Sequence, residues 1–180
     1  MPKVVYVVRH CQAEGQEPSA SLTERGKQQA EALCAFLADF DVERIVSSPF
    51  ARAVESIRPL SARLAVDVKI DQRLVERTLS TVPLADWREQ LRMSFQDLDL
   101  VIGGGESSRA AMQRARAAVA DILGHPAERT VAVTHGNLMA LMLKTFDDRI
   151  GFELWERLTC PDVYAVTIRG AQRTIRRVWA

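Results

Sequence analysis

The sequence predicts an α/β fold, a three-layer sandwich in which a mainly parallel central sheet carries helices on both faces. Short runs of β-branched and aromatic residues, such as residues 4–8, are typical of strands that are buried on both sides. Segments with apolar residues at helical spacing separate these runs, and such alternation favours a parallel sheet. The chain has 180 residues, of which 47% are hydrophobic, so we expect one domain over residues 1–180.

Six apolar runs are predicted to be strands, and the last two are expected to form an antiparallel pair at one edge of the sheet. They lie at residues 4–8, 42–47, 66–70, 130–134, 163–168 and 174–178.

Five helices are predicted between these strands. The first follows Thr23, a suitable N-cap, and the second is expected to begin at Pro49. The fourth is expected over residues 107–123, and the fifth begins at Gly136. The third lies in the irregular segment 71–105 and would carry an apolar stripe of core or lid residues. That stripe consists of Trp87, Leu91, Phe95 and Leu98.

Composition and charge exclude several classes of protein. Lys and Arg number 24 and Asp and Glu number 23, so a net charge of +1 gives no general attraction to nucleic acid or to anionic membranes. Residues 1–8 form too short a run for a signal peptide or a membrane span. The three cysteines form no C-x-x-C pair, which suits a reducing compartment. We therefore expect a cytoplasmic protein whose anion selectivity is local.

Arginine and histidine side chains follow three of the predicted strands. Arg9 and His10 end the first strand, His135 ends the fourth, and Arg52 lies in the first turn of the helix after the second. Ligands bind at the carboxyl edge of such sheets, so we expect these four side chains to meet in one crevice. The helices after Pro49 and Gly136 would also point their N-termini there and offer free N–H groups to an anion.

Two arginines and two imidazoles suit a doubly charged phosphoryl group, because their charge-assisted hydrogen bonds match its oxygens in number and geometry. An imidazole can also attack phosphorus and form a phosphohistidine. Arg9, Arg52 and a protonated His135 would disfavour the protonated form of His10 and keep its lone pair available.

Five segments resemble, in order, the signatures of the histidine phosphatase superfamily, which has the phosphoglycerate-mutase-like fold. Residues 8–10 resemble its Arg-His-Gly signature, 22–30 its Leu-Thr-x-x-Gly-x-x-Gln-Ala helix start, 47–53 its Ser-Ser-Pro-x-x-Arg-Ala element, 105–107 its Gly-Glu-Ser signature and 133–136 its second histidine motif. The resemblance implies that His10 accepts the phosphoryl group and that Arg9, Arg52 and His135 bind it.

The resemblance also implies a general acid, because an alkoxide leaves poorly unless it is protonated. Residues 74–76, Leu-Val-Glu, are similar to the family's Leu-x-Glu, which assigns the role to Glu76. The alternative is that Glu76 is a surface carboxylate paired with Arg73 or Arg77. Glu14 would then be the substitute acid.

Three positions depart from the family pattern. Cys11 replaces the glycine after the nucleophile, so it narrows the pocket, adds an oxidisable thiol beside the nucleophile or is a tolerated small residue. Ala13 replaces a frequent threonine. Gln16 stands in for a loop asparagine. Gln16 and Asn137 are therefore candidate substrate contacts.

The predicted function is hydrolysis of a phosphomonoester, most simply of a small molecule, through a phosphohistidine. The short loop 11–21 is similar to that of small bacterial protein-phosphohistidine phosphatases, so a phosphoprotein substrate stays open. Phosphoglycerate-mutase-type transfer and a catalytically weakened phosphate-binding interaction protein also stay open. The compact segment 71–105 favours hydrolysis over the mutase reaction.

Other phosphatase chemistries do not match. No cysteine is followed by arginine at the Cys-x5-Arg spacing, and no H-E-x-x-H or similar ligand cluster occurs, so no metal or cofactor is expected. His125, between Gly124 and Pro126, is interpreted as a surface residue. Four arginines near the end of the chain are interpreted as charges that protect an edge strand: Arg169, Arg173, Arg176 and Arg177.

Overall fold

The structure is a computed structural model, and it describes residues 2–179. The strands are β1 (Lys3–Arg9), β2 (Arg44–Ser47), β3 (Val68–Ile70), β4 (Arg129–Thr134), β5 (Asp162–Arg169) and β6 (Gln172–Arg177). The helices are α1 (Glu24–Leu37), α2 (Ala51–Leu64), α3 (Trp87–Gln96), α4 (Ser108–Gly124), α5 (Gly136–Lys144) and α6 (Phe152–Arg157), with a 3-10 turn at Gln72–Leu74.

The six strands form one sheet in the order β3-β2-β4-β1-β5-β6. Strands β3, β2, β4 and β1 are parallel, β5 runs antiparallel to β1, and β6 runs antiparallel to β5. The sequence-based fold class and the antiparallel edge pair are thus confirmed. Because β1 and β4 are adjacent and parallel, the residues that follow them emerge side by side.

The core lies in two layers, one on each face of the sheet. One layer packs α1 and α2 against the sheet and includes Leu33 and Ile57, both fully buried. The other contains α3, α4 and the apolar helix α5, whose residues 136–143 are all buried. Alternate side chains of β1 enter opposite layers, as expected of a strand covered on both faces.

Local side-chain chemistry places the starts of two helices. Thr23 accepts a hydrogen bond from the N–H of Gly26 at 2.9 Å, and Ser107 caps α4 in the same way. Gly26 is also required by packing, because a Cβ there would lie 2.0 Å from the carbonyl oxygen of Gln12. This contact brings α1 close to the loop that follows His10.

Several element bounds differ from the sequence-based predictions. Helix α2 begins at Ala51 rather than at Pro49, because Phe50 is still extended (φ −63°, ψ 136°). Strand β3 begins at residue 68 because Ala65 adopts a left-handed conformation (φ 54°) that ends α2. Helix α3 ends at Gln96, which leaves Leu98 outside it. The short helix α6 has no predicted counterpart.

Candidate active site

The candidate site lies where β1, β2 and β4 end. His10 follows β1, His135 follows β4, and Arg52 is the second residue of α2, just after β2. The imidazole centroids of His10 and His135 are 5.0 Å apart. The predicted convergence at this edge of the sheet is therefore observed.

His10 is buried and held in one orientation. Its Nδ1 lies 2.7 Å from the carbonyl oxygen of Cys11, which requires an N–H at Nδ1 and leaves the lone pair on Nε2. The Nε–H of Arg52 donates to that Nε2 at 3.3 Å. Burial, together with the charges of Arg52 and Arg9, lowers the pKa of His10 from 6.5 to about 4, although the bond to Cys11 opposes the shift. At neutral pH, Nε2 is therefore unprotonated.

Arg52 is fixed on several sides. It is 1% exposed, and its Nη1 donates to the carbonyl oxygens of Gln16 (3.1 Å) and Glu17 (2.9 Å). Its guanidinium also lies over the ring of Phe50, 5.0 Å from the centroid. The loop after His10 therefore holds the cation that contacts His10.

His135 is fully buried, and its Nε2 lies 2.8 Å from Oγ of Ser48. Ser48 Oγ also accepts the N–H of Phe50, so its hydroxyl hydrogen is available to His135. Among residues 2–179, Nδ1 of His135 has no hydrogen-bond partner. Burial and then the neighbouring His10 and Arg52 lower the pKa of His135 to about 2. The expectation of a protonated His135 is wrong, because desolvation disfavours the charged ring.

Arg9 contacts the segment before β5 and the start of α5, next to His135. Its Nη1 donates to the carbonyl oxygens of Leu158 (3.1 Å) and Thr159 (3.3 Å). Its guanidinium also packs on the start of α5, where a Cβ on Gly136 would lie 3.1 Å from Cζ and Nε. A glycine at position 136 therefore makes room for Arg9.

The carboxyl group of Glu76 is bound to the N-terminus of α5. Its Oε2 accepts the N–H of Asn137 at 3.0 Å, and its Oε1 accepts the N–H groups of Leu138 (2.9 Å) and Arg77 (2.8 Å). The prediction that this helix end offers free N–H groups to an external anion is thus wrong for Asn137 and Leu138. Burial raises the pKa of Glu76, and the three N–H donors and Arg9 only partly oppose it.

The proposed ion pairs of Glu76 with Arg73 or Arg77 do not form. Arg73 pairs with Asp71 and Asp121, both at 2.7 Å. Arg77 is 3% exposed, and its side chain donates to the carbonyl oxygen of Glu106 and to the hydroxyl of Ser94. Glu76 is therefore available to a ligand rather than held by an arginine side chain.

Two further side chains, of Arg114 and Thr134, hold the backbone just before Glu76. Arg114 of α4 donates to the carbonyl oxygens of Arg73 (2.7 Å) and Val75 (2.8 Å) and forms an ion pair with Glu106 at 2.7 Å. Thr134 donates from its hydroxyl to the carbonyl oxygen of Leu74. Sequence reasoning missed Arg114, because nothing in its spacing separates it from the other arginines of α4.

A cavity of about 350 Å³ opens beside this cluster. Its lining includes Arg52 and Glu76, and Gln16 lies on its border. Asn137 is 8% exposed, and its Oδ1 has no partner within residues 2–179. Glu14 is exposed and outside this lining, and His125 lies at the surface as predicted. The remaining lining residues are Pro18, Phe50, Arg77, Thr78, Leu79 and Ser80.

Cys11 points away from this cavity. It is fully buried in the core layer beneath α1 and α2, and its N–H donates to Oγ of Ser56 at 2.8 Å. Burial raises the pKa of its thiol to about 12. Of the three interpretations of Cys11, the structure favours a tolerated small side chain, since the buried thiol lies in the apolar core and not in the lining of the cavity.

Metal-ligating side chains are dispersed: within residues 2–179, His, Cys, Asp and Glu form no group of three that could hold a metal ion. Over the same residues, no helix has both the length and the apolar character to cross a membrane.

The fold is an α/β sandwich with two buried histidines at the carboxyl ends of adjacent parallel strands. The family model of the histidine phosphatase superfamily (branch 1) matches residues 5–178, so the chain belongs to that superfamily. The predicted family is thereby confirmed.

Some similar proteins have names that state an activity, and others are named as uncharacterized. An uncharacterized protein of Mycobacterium tuberculosis strain H37Rv is 35% identical over 79 residues, which cover 40% of this chain and 39% of that protein. A protein of Enterobacter sp. strain 638 named "Probable phosphoglycerate mutase GpmB" is 28% identical over 78% of this chain and 73% of its own length. The solved mycobacterial glucosyl-3-phosphoglycerate phosphatase superposes with a TM-score of 0.76 at 23% identity, covering 99% of this chain and 98% of that one.

Proposed function

We propose that this chain is a phosphatase that hydrolyses a small-molecule phosphomonoester through a phosphohistidine on His10. The observation that carries the proposal is the 3.3 Å contact between Nε2 of His10 and Nε of Arg52, with the ring centroid of His135 5.0 Å from that of His10. A nucleophilic nitrogen and a cation able to bind phosphoryl oxygens thus lie at one point. Arg9 approaches the same point across the start of α5.

In the first step, Nε2 of His10 attacks phosphorus while Arg9, Arg52 and His135 bind the phosphoryl oxygens. The bond from phosphorus to the substrate oxygen breaks, and Glu76 gives its proton to that oxygen. In the second step, water attacks the phosphohistidine and Glu76 takes up a proton from it. The bond between phosphorus and His10 breaks, and orthophosphate leaves.

The ionisation states suit these roles. The lowered pKa of His10 keeps Nε2 unprotonated, and the raised pKa of Glu76 favours the protonated form that an acid needs. A bound dianion would favour a second proton on His135 and so oppose the lowering of its pKa by burial. No step uses a metal ion, so we propose metal-independent hydrolysis.

The substrate is proposed to be a small phosphorylated molecule. A cavity of about 350 Å³ lies within the usual size range of small-ligand sites. Glu76 on its wall would meet the leaving group, and Gln16 and Asn137 are proposed as contacts to the rest of the substrate. Two of the similar proteins carry names that refer to phosphoglycerate or a derivative of it, which supports this class of substrate over a protein.

Phosphoryl transfer of the mutase type is the second candidate, and the 28% identical relative named as a mutase favours it. The two differ in the acceptor of the second step, which is a retained sugar acid in the mutase and water in the phosphatase. Release of orthophosphate from 3-phosphoglycerate, compared with formation of 2-phosphoglycerate, separates them. A phosphoprotein substrate is tested by adding a phosphohistidine protein to the same assays.

The deciding experiment measures turnover of p-nitrophenyl phosphate by the full chain in the presence of EDTA. His10→Ala should lower kcat/KM by roughly a thousandfold or more, because no neighbouring group replaces the nucleophile. His125→Asn, which changes a surface histidine, is the matched control and should retain activity. Activity of His10→Ala near that of the wild type would refute the proposal, and loss of turnover in EDTA would refute metal independence.

A further inference from the structure

Arg9 depends on a short segment of the chain that is far from it in sequence. Its Nη1 donates to the carbonyl oxygens of Leu158 and Thr159, which lie between α6 and β5. Its Nε is buried without a partner within residues 2–179. The position of these two carbonyl groups therefore determines where the guanidinium lies.

A buried carboxylate holds this segment. Asp162, at the start of β5, is fully buried, and its Oδ2 accepts the N–H of Thr159 at 2.9 Å. Its Oδ1 accepts the N–H of Val163 and the Nε–H of Arg177, each at 2.9 Å. A buried carboxylate is costly unless it is paired in this way, so Asp162 and Arg177 depend on each other.

Arg177 contacts the same segment directly. Its Nη2 donates to Oγ1 of Thr159 at 3.0 Å, and that hydroxyl donates to the carbonyl oxygen of Pro161 at 2.6 Å. Thr159 is thus bound through its N–H by Asp162 and through its hydroxyl by Arg177. A continuous chain of hydrogen bonds runs from Arg177 on β6 to Arg9 in the site.

Arg177 differs in this respect from its neighbours on β6. Arg173 donates only to turn carbonyl groups, and Arg176 forms no ion pair within the described part of the chain. The sequence-based interpretation of these arginines as edge-strand protection is therefore incomplete for Arg177. Its side chain pairs with a buried group instead of only facing solvent.

We infer that Asp162 and Arg177 are positioning residues that set the affinity of the site for a phosphoryl group by fixing Thr159 and, through its carbonyl group, Arg9. The inference rests on the proposed function, because it takes Arg9 as a phosphate ligand. Neither residue touches the substrate. The inference assigns their effect to the contact with Arg9, which the test below separates from the second contact of this segment with the site, from Sγ of Cys160 to the carbonyl oxygen of His10 at 2.9 Å.

The test is a double-mutant cycle on binding of inorganic phosphate to the full chain, measured by calorimetry. Arg177→Ala should weaken phosphate binding roughly tenfold, the effect of one impaired charge-assisted bond. In an Arg9→Ala background, Arg177→Ala should change the affinity less than twofold, because the residue through which it acts is gone. Arg176→Ala is the matched control on the same strand and should bind phosphate like the wild type.

Thr159→Val gives a second route that leaves the Asp162–Arg177 pair intact. It should weaken phosphate binding in the wild-type background and not in the Arg9→Ala background. Equal losses from Arg177→Ala in both backgrounds would overturn the inference, as would wild-type protein that binds no phosphate. Normal phosphate binding without hydrolysis would instead refute the proposed function and leave the cycle interpretable.

Discussion

Oε1 of Glu76 accepts a hydrogen bond from the backbone N–H of Leu138, at 2.9 Å, in the first turn of α5. A carboxyl group at a helix N-terminus is stabilised by the helix dipole, while burial favours its protonated form. Because burial has the larger effect on the pKa of Glu76, the carboxyl group can carry a proton and still hold a defined position. Glu76 also occupies the N–H groups of Asn137 and Leu138, so under the proposed function these two groups do not contribute to phosphate binding.

Glu76→Gln should separate substrates by their leaving group. We expect kcat/KM for an alkyl phosphate to fall about a hundredfold or more, and that for p-nitrophenyl phosphate to fall less than tenfold, because an aryl oxygen leaves without a proton. Steady-state kinetics on both substrates checks this. Glu14→Gln changes the exposed alternative acid and is the control, which should leave kcat/KM for both substrates unchanged. Equal losses of kcat/KM for the two substrates in Glu76→Gln would point to another acid.

The plot of kcat/KM against pH should have a rising limb from the ionisation of His10 and a falling limb from that of Glu76. Protonation of His10 removes the attacking lone pair, so the rate should rise as pH increases through about 4. Deprotonation of Glu76 removes the acid, so the rate should fall again above a pKa higher than the ordinary 4.5. A rising limb near 6.5, the ordinary pKa of histidine, would contradict the described environment of His10.

Gly136→Ala should weaken binding of the phosphoryl group, because the added Cβ would lie 3.1 Å from Cζ of Arg9 and displace the guanidinium. We expect a higher KM and a higher inhibition constant for orthophosphate. Gly124→Ala is the matched control, since nothing lies within 4 Å of its Cβ. That variant should gain about 0.5–1 kcal/mol in free energy of unfolding and keep its affinity for phosphate. Equal phosphate affinity in both variants would rule out the described contact of Arg9.

The buried histidines should make the protein less stable in acid. Their folded-state pKa values of about 4 (His10) and 2 (His135) lie below the ordinary 6.5, so below pH 6.5 the unfolded chain binds protons that the folded chain does not. Each group should lower the free energy of unfolding by about 1.4 kcal/mol per pH unit between 6.5 and 4.5, and Glu76 partly offsets this.

Urea unfolding of the wild type and His135→Asn at several pH values measures this contribution. In His135→Asn, the free energy of unfolding should depend less steeply on pH, by about 1.4 kcal/mol per pH unit. His125→Asn, which changes a surface histidine, is the matched control. A wild-type slope in His135→Asn would contradict a neutral, buried His135.

The sequence was sufficient to predict the sheet and the proximity of His10, His135 and Arg52 at its carboxyl edge. Buried strands carry a strong apolar signal, and parallel strands must end at one edge, so the positions of His10 and His135 after two of them implied their proximity. The protonation state of His135 and the partners of Glu76 could not be predicted in this way. Both depend on burial and on backbone groups that only the folded chain brings together.

The residues that support the site also could not be identified from the sequence. Arg114 and Arg177 are two of many arginines, and neither lies in a recognisable motif. Their roles come from contacts with segments about 40 and 18 residues away, to the carbonyl group of Val75 and the hydroxyl of Thr159. The bounds of α2 and β3 depend on single backbone conformations, at Phe50 and Ala65, that composition does not specify.

The central claim is that His10 carries the phosphoryl group between the two steps. The direct test mixes the protein rapidly with a phosphomonoester that it hydrolyses and stops the reaction with alkali, which phosphohistidine survives. Peptide mass spectrometry then locates the phosphoryl group. We predict a phosphoryl group on His10 that forms within the first turnover and is absent from His10→Ala. Turnover by the wild type with an unmodified His10, or with the phosphoryl group on another residue, would contradict the account.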